Sequence, residues 1–235
     1  MIDFLGIGAQ KAGTTWLYEK LALHPNVLFP AHKEIHFWDR DRARGVKWYH
    51  ALFEAPDDGI RRGEITPAYA TLPAVTIAEI AALTPAVRIF YVLRNPIDRA
   101  WSSALMALRK AHMTLDEASD QWFIDHFRSA GSLSRGDYEA CLRCWRSVFA
   151  SDQILVLRYE TLRDEPLKLL ARCAVHLDID PAFYGTVPYE VLTRKALVGP
   201  GHPMRPTLRP VLEELYLPKI EALSRYLGWD LSEWL

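Results

Sequence analysis

The opening run, Asp3-Phe-Leu-Gly-Ile-Gly-Ala-Gln-Lys-Ala-Gly-Thr-Thr-Trp-Leu-Tyr18, constrains this chain more than any other feature. An apolar strand pattern passes through a glycine loop directly into a helical pattern. That is how a chain builds an anion cradle: backbone N–H groups converge in the loop, and the following helix adds its positive N-terminal end. The order of residues narrows the ligand. A nucleoside-triphosphate loop carries its lysine after the second glycine and just before Ser/Thr. Here Lys11 precedes Gly13, and Thr14-Thr15 follow with no lysine between. The loop is suited to a phosphate, but not to the β- and γ-phosphates of ATP.

With 235 residues, half of them hydrophobic, the chain can bury a full core, and one domain spanning 1–235 is expected. The net charge of −1 gives no global basic field of the kind that advertises a nucleic-acid partner. No segment approaches the roughly 20 apolar residues needed to span a bilayer. The glycine loop also interrupts anything resembling a signal peptide. The expectation is a cytoplasmic protein without a transmembrane segment. Of the three cysteines, Cys141 and Cys144 form a Cys-x-x-Cys. They recur at helical spacing with Tyr138, Leu142, Trp145, Val148 and Phe149 and have no second ligand pair, so they read as core rather than as a metal site. Cys173 lies in a similar apolar stripe.

Strands and helices alternate along the chain. Helices are expected over 14–24, 45–53, 73–83, 96–110, 116–129, 135–150 and 166–177, with a last one ending near Tyr226. Strands are expected over 26–29, 63–67, 87–93 and 153–158, besides the first. Val87-Arg-Ile-Phe-Tyr-Val-Leu93 is apolar on both faces, which places it inside a parallel sheet. The fold class is therefore α/β, with a central, mostly parallel sheet flanked by helices.

The end of that strand is the second informative site. Ligands of open α/β sheets lie beyond the carboxyl ends of the strands. Arg94 stands there, Asn95-Pro96 turns the chain, and Ser102 falls early in the next helix. A guanidinium fork and a hydroxyl can grip a phosphate; alternatively Arg94 pairs with a surface carboxylate at a helix entry. Taken with the first loop, the phosphate reading implies a nucleotide phosphorylated at two places.

Gly8-Ala-Gln-Lys-Ala-Gly-Thr-Thr-Trp-Leu17 resembles the 5′-phosphosulfate loop of sulfotransferases that use 3′-phosphoadenosine 5′-phosphosulfate (PAPS). Leu93-Arg-Asn-Pro-Ile-Asp-Arg-Ala-Trp-Ser102 resembles their 3′-phosphate motif. Leu23-His-Pro-Asn26, Lys33-Glu-Ile-His-Phe-Trp-Asp39, Thr66-Pro-Ala-Tyr69, Ile154-Leu-Val-Leu-Arg-Tyr-Glu160 and Gly228-Trp-Asp-Leu-Ser-Glu-Trp234 look like the branch holding heparan-sulfate and related bacterial enzymes. The resemblance covers nearly the whole chain and implies a P-loop-like sulfotransferase fold.

It further implies that Lys11, Ala12, Gly13, Thr14, Thr15 and Trp16 hold the 5′-phosphate, with Lys11 also neutralising the leaving oxygen. Arg94 and Ser102 would grip the 3′-phosphate, helped by Gly199 and Gly201 of a late loop. Glu34 matches the family's base, and His36 a histidine beside the acceptor. PAPS would be the donor and 3′,5′-adenosine bisphosphate (PAP) the product, with no metal required. The acceptor would be a small molecule, lipid or carbohydrate. From the residues alone, Glu34 is equally a surface carboxylate paired with Lys33 or Arg40, and His36 a core histidine.

Two departures stand out. Those relatives carry Glu-Lys where this chain has Glu64-Ile65, so either Lys33 substitutes or Lys11 works alone. Their basic late loop is Val198-Gly-Pro-Gly-His-Pro203 here, without cations, so the 3′-phosphate would rest on Arg94 or borrow Arg194, Lys195 or Arg205. The alternatives are a P-loop-type phosphotransferase, which lacks its Walker lysine here, and a non-catalytic PAP-binding protein.

Overall fold

The computed structural model describes residues 2–54, 59–194, 196 and 201–235. The strands are β1 (Phe4–Gly8), β2 (Val27–Leu28), β3 (Arg61–Ile65), β4 (Arg88–Leu93) and β5 (Ile154–Arg158). The helices in the first half are α1 (Thr14–Leu21), α2 (Val46–Ala51), α3 (Ala74–Leu83) and α4 (Pro96–Lys110). They are followed by α5 (Asp120–Arg128), α6 (Ala130–Gly136), α7 (Tyr138–Arg146) and α8 (Tyr159–Asp164). The last are α9 (Pro166–Leu177), α10 (Tyr189–Thr193) and α11 (Arg209–Leu227). The chain divides into two compact units, Met1–Leu93 with Cys144–Leu197, and Arg94–Arg143 with Val198–Leu235.

The first unit contains the whole sheet, in the order β2-β3-β1-β4-β5 with every pairing parallel. β1 is central and buried along its length, and β4 lies between β1 and β5. Both strands are therefore covered on both faces, which is why β4 reads as an unbroken apolar run. The fold class expected from the alternation is thus the one observed, and the sheet is parallel throughout. Ile65, at the end of β3, is buried against Gly6 of β1. A Cβ on Gly6 would stand 2.6 Å from the Ile65 Cγ1 atom.

His176 of α9 packs edge-on against Phe90 of β4, the ring centroids 5.2 Å apart. Burial, with the Arg88 charge second, pushes its imidazole down to about 4. Unfolding returns it to roughly 6.5. Between those values the unfolded chain binds the extra proton, so stability is lost as pH falls from about 6.5 toward 4. Urea midpoints taken near pH 7 and near pH 5 are expected to drop in that order, and to drop less in His176→Gln. Equal drops in the two proteins would remove His176 as the source.

The second unit is helical. Residues 116–150, expected as two helices, form α5, α6 and α7. Ser129 ends α5 and also caps α6, its hydroxyl accepting the Ser132 N–H. α4 packs against α5, α6 and α11. Asn95 caps α4 by accepting the Ile97 N–H at 2.9 Å, and its amide donates to the Trp234 carbonyl at 3.0 Å, which ties down the end of the chain. Arg99 is fully buried and donates to the Ser132 carbonyl and hydroxyl and to the Tyr216 hydroxyl.

The three cysteines are free thiols. Cys141 and Cys173 are buried and Cys144 partly so, in keeping with the core periodicity. Burial pushes the Cys173 thiol well above its ordinary value.

Candidate active site

In the first unit, β1 leads into the loop 9–13 and then α1. Gly13 caps α1 with φ +83°, and a Cβ there would stand 3.0 Å from Leu162 and 3.2 Å from Tyr159. Only glycine takes this left-handed position without strain, and the side of the loop facing α8 has no room for a side chain. Lys11 is also left-handed, with φ 69°. For a residue with a Cβ such a conformation costs about 1–3 kcal/mol, a cost typical of functional loops.

The first bond of α1 runs from the Leu17 N–H to the Gly13 carbonyl. The N–H groups of Gly13, Thr14, Thr15 and Trp16 are therefore those that a helix leaves without an intrahelical acceptor. The Ala12 N–H donates to the Ala9 carbonyl at 3.2 Å and closes the loop on itself. The Trp16 indole is buried and donates to the Leu192 carbonyl at 2.8 Å, so this side chain anchors α1 to α10.

A second constellation lies in the loop after β2. Glu34 and His36 both have positive φ, 64° and 56°. This alternation turns their side chains toward each other. The Glu34 carboxylate meets the Lys33 ammonium at 2.9 Å through Oε1 and the His36 Nε2 at 3.3 Å through Oε2. On the other side of the ring, His36 Nδ1 lies 3.0 Å from Asp39 Oδ2 and 3.1 Å from Oδ1. Glu34 is the most exposed member, its side chain 42% accessible against 19% for His36. The pairing of Glu34 with Lys33 that the sequence allowed is present, and Glu34 also contacts His36. Asp39 had no assigned role in the sequence, although its spacing of three from His36 was visible. Lys33 lies against Glu34, and Ile65 is packed over Gly6 of β1.

In the second unit, Arg94 directly precedes the α4 cap, and its guanidinium lies 4.0 Å from Asp98. Ser102 lies on α4, partly buried. Its neighbour Trp101 donates to the His202 carbonyl at 2.9 Å, holding the segment that contains Gly201 against α4. Arg205 is committed elsewhere: it donates to Asp120 at 2.6 Å and to the Leu115 and Ala118 carbonyls. It is not a spare cation for a phosphate. Arg194 is exposed, whereas Gly199 and Lys195 lie outside the described residues.

Sequence reasoning also passed over a buried carboxylate. Glu64 on β3 is 1% exposed and accepts hydroxyl protons from Tyr49 at 2.6 Å, Thr66 at 2.6 Å and Tyr69 at 3.0 Å. The Ile35 N–H also favours its charged form. Burial raises its pKa, outweighing the four donors.

The curated relatives include a bifunctional heparan sulfate N-deacetylase/N-sulfotransferase 1 from Caenorhabditis briggsae. It is 31% identical over 196 residues, 75% of this chain and 22% of that protein. The chain spans less than two thirds of the length of the curated relatives it matches. Among solved structures, a sulfotransferase from Alicyclobacillus acidocaldarius superposes with a TM-score of 0.77 at 24% identity, covering 100% of this chain and 98% of that one. Mouse sulfotransferase SULT7A1, complexed with PAP, gives 0.61 at 18% identity over 97% and 88%. At those identities the likeness is one of fold. The model of the sulfotransferase domain matches residues 2–190, and the chain belongs to the sulfotransferase family.

Proposed function

We propose that this protein is a PAPS-dependent sulfotransferase, with residues 1–235 working as one sulfotransferase domain. The sulfuryl group would pass from PAPS to a hydroxyl or amine of a carbohydrate or other small acceptor. The observation that carries this reading is the Glu34–His36–Asp39 chain of contacts, in the same fold unit as a glycine loop with the lysine ahead of it. Heparan sulfate named among the relatives favours a carbohydrate acceptor, and the PAP bound to a structural neighbour favours PAPS as donor. No described helix is long and apolar enough to cross a membrane. We place the protein in the cytoplasm because free, buried thiols suit a reducing compartment.

In this reading the N–H groups of Gly13–Trp16 and the Lys11 ammonium hold the 5′-phosphate. Arg94 and Ser102 hold the 3′-phosphate, helped by Gly201 of the late loop. The acceptor oxygen or nitrogen attacks sulfur in line, so its bond to sulfur forms as the bond from sulfur to the phosphate oxygen breaks. Glu34 takes the proton released from the nucleophile. With Nδ1–H donated to Asp39, the His36 Nε2 is free to share that proton. The electron pair departs on the phosphate oxygen, where Lys11 stabilises the developing charge.

A thermal-shift measurement tests donor binding. At a hundredfold excess over its Kd, PAP is expected to stabilise the protein by about 2.7 kcal/mol. For a chain of this size that is a rise of roughly 5–10 °C, and it should need no magnesium. Stabilisation only by ATP with magnesium would overturn the reading. The acceptor follows from labelled PAPS and a panel of heparosan, sterol, phenol and amine substrates.

A further inference from the structure

We propose that Glu64 is a positioning residue for the Glu34–His36 pair: a buried carboxylate that holds the backbone of residues 35–38, and so the two left-handed residues, in place. This inference rests on the proposed role of Glu34. It is carried by hydrogen bonds that converge on one side chain from Tyr49, Thr66 and Tyr69, two of whose hydroxyls in turn accept N–H groups of the loop.

The Ile35 N–H, the peptide group between the two positive-φ residues, favours the charged form of Glu64. The hydrogen bonds of Glu64 reach the loop through single hydroxyls. Thr66 Oγ1 donates to Glu64 Oε2 at 2.6 Å and accepts the His36 N–H at 3.5 Å. Tyr69 donates to Glu64 Oε1 at 3.0 Å and accepts the Trp38 N–H at 3.4 Å. Tyr49 donates to the same Oε1 at 2.6 Å, and its ring stacks on Phe37 with centroids 4.5 Å apart. Two N–H groups of one short loop, those of His36 and Trp38, are thus tied to Glu64 through one hydroxyl each.

The direction of these bonds is what requires a carboxylate. A hydroxyl has a single proton. When that proton goes to Glu64, the lone pairs of Thr66 and Tyr69 turn toward the loop N–H groups. A carboxylate is an acceptor at both oxygens and takes all three hydroxyl donors, whereas a glutamine offers one oxygen and an NH2 that donates. Beside that NH2, at least one hydroxyl must turn its proton away from residue 64 and lose the acceptor that fixed its direction. Glutamine fills the same volume, so Glu64→Gln leaves packing unchanged and removes only the sense of the network. Burial holds Tyr49 and Tyr69 far above their ordinary pKa values, so both remain donors.

The test is amide hydrogen exchange of Glu64→Gln, read together with PAP affinity and with PAPS-to-heparosan transfer, or transfer to whichever panel acceptor the wild type uses. Exchange at Ile35, His36 and Trp38 is expected to rise at least about tenfold. Exchange in β1 and β4 and the Kd for PAP should stay at wild-type values, and kcat should fall roughly 10–100-fold. Thr66→Val, which deletes one hydroxyl at equal volume, should loosen His36 alone. Unchanged exchange at 35–38 in both variants would overturn the proposal, as would loosening without loss of kcat. Loosening of β1 and β4 to the same degree would also overturn it, showing general support of the fold. If wild-type protein transfers to no acceptor, the sulfotransferase reading fails, while the exchange data still decide whether Glu64 holds the loop.

Discussion

Glu34→Ala is expected to lower kcat for sulfuryl transfer by roughly 10²–10⁴-fold, the range for loss of a general base, while the Kd for PAP stays at its wild-type value. The split follows from where the carboxylate lies. Its only ionic partners among the described contacts are Lys33 and His36, and neither belongs to the loop proposed to hold the nucleotide. The side chain is 42% exposed, so its removal leaves no cavity. Alanine also has a Cβ, so the cost of φ 64° is the same in both proteins. Thermal stability should therefore change little, as for other exposed substitutions, within about 0.5 kcal/mol. Steady-state kinetics with labelled PAPS and isothermal titration with PAP separate the two quantities. A variant that transfers at the wild-type rate would remove Glu34 as the base.

Lys11→Ala should behave differently, losing both terms. The ammonium is proposed to contact the phosphate in the ground state and to meet more charge on its oxygen in the transition state. Removal of one charge-assisted contact costs about 1.5–3 kcal/mol of binding, a rise of roughly 10–100-fold in the Kd for PAP. Loss of a donor aimed at developing charge lowers kcat by a further factor of roughly 10²–10³. The residue has φ 69° at the entry to α1, and alanine again leaves that backbone cost unchanged. Unaltered PAP affinity in Lys11→Ala would disprove its place in the cradle. A loss of affinity with full kcat would confine Lys11 to ground-state binding.

Much of the fold was legible because its signals are local. α4 runs from Pro96 to Lys110 and α9 from Pro166 to Leu177, as read from the sequence. In each, a proline sits at the first helical position, where its missing N–H costs nothing. β4 was legible because only a strand covered on both faces tolerates so many apolar residues in a row. The stop at Ser129 was legible, but α6 over Ala130–Gly136 and its end at Asp137 were not, because helical periodicity runs on through the expected helix 135–150. The strand expected over 153–158 ends where β5 ends, but α8 was not read, because the six residues of Tyr159–Asp164 are too few to show a helical period.

The site divides in the same way. A cradle with its lysine ahead of the glycine, the Arg94-to-Ser102 spacing, and the neighbours Glu34 and His36 are properties of short segments, and the sequence by itself determined them. What only the tertiary structure decided is how those residues are held. The side chains of Glu34 and His36 meet because both backbones are left-handed. Asp39 reaches the far nitrogen of His36 because the loop curls back. Glu64 matters through Tyr49 of α2 and through Thr66 and Tyr69, whose hydroxyls link it to the His36 and Trp38 N–H groups of a distant loop. A carboxylate with an ordinary sequence context has no local signature. Its meaning comes from burial and from donors that arrive from other segments, which pairwise spacing along a chain does not encode.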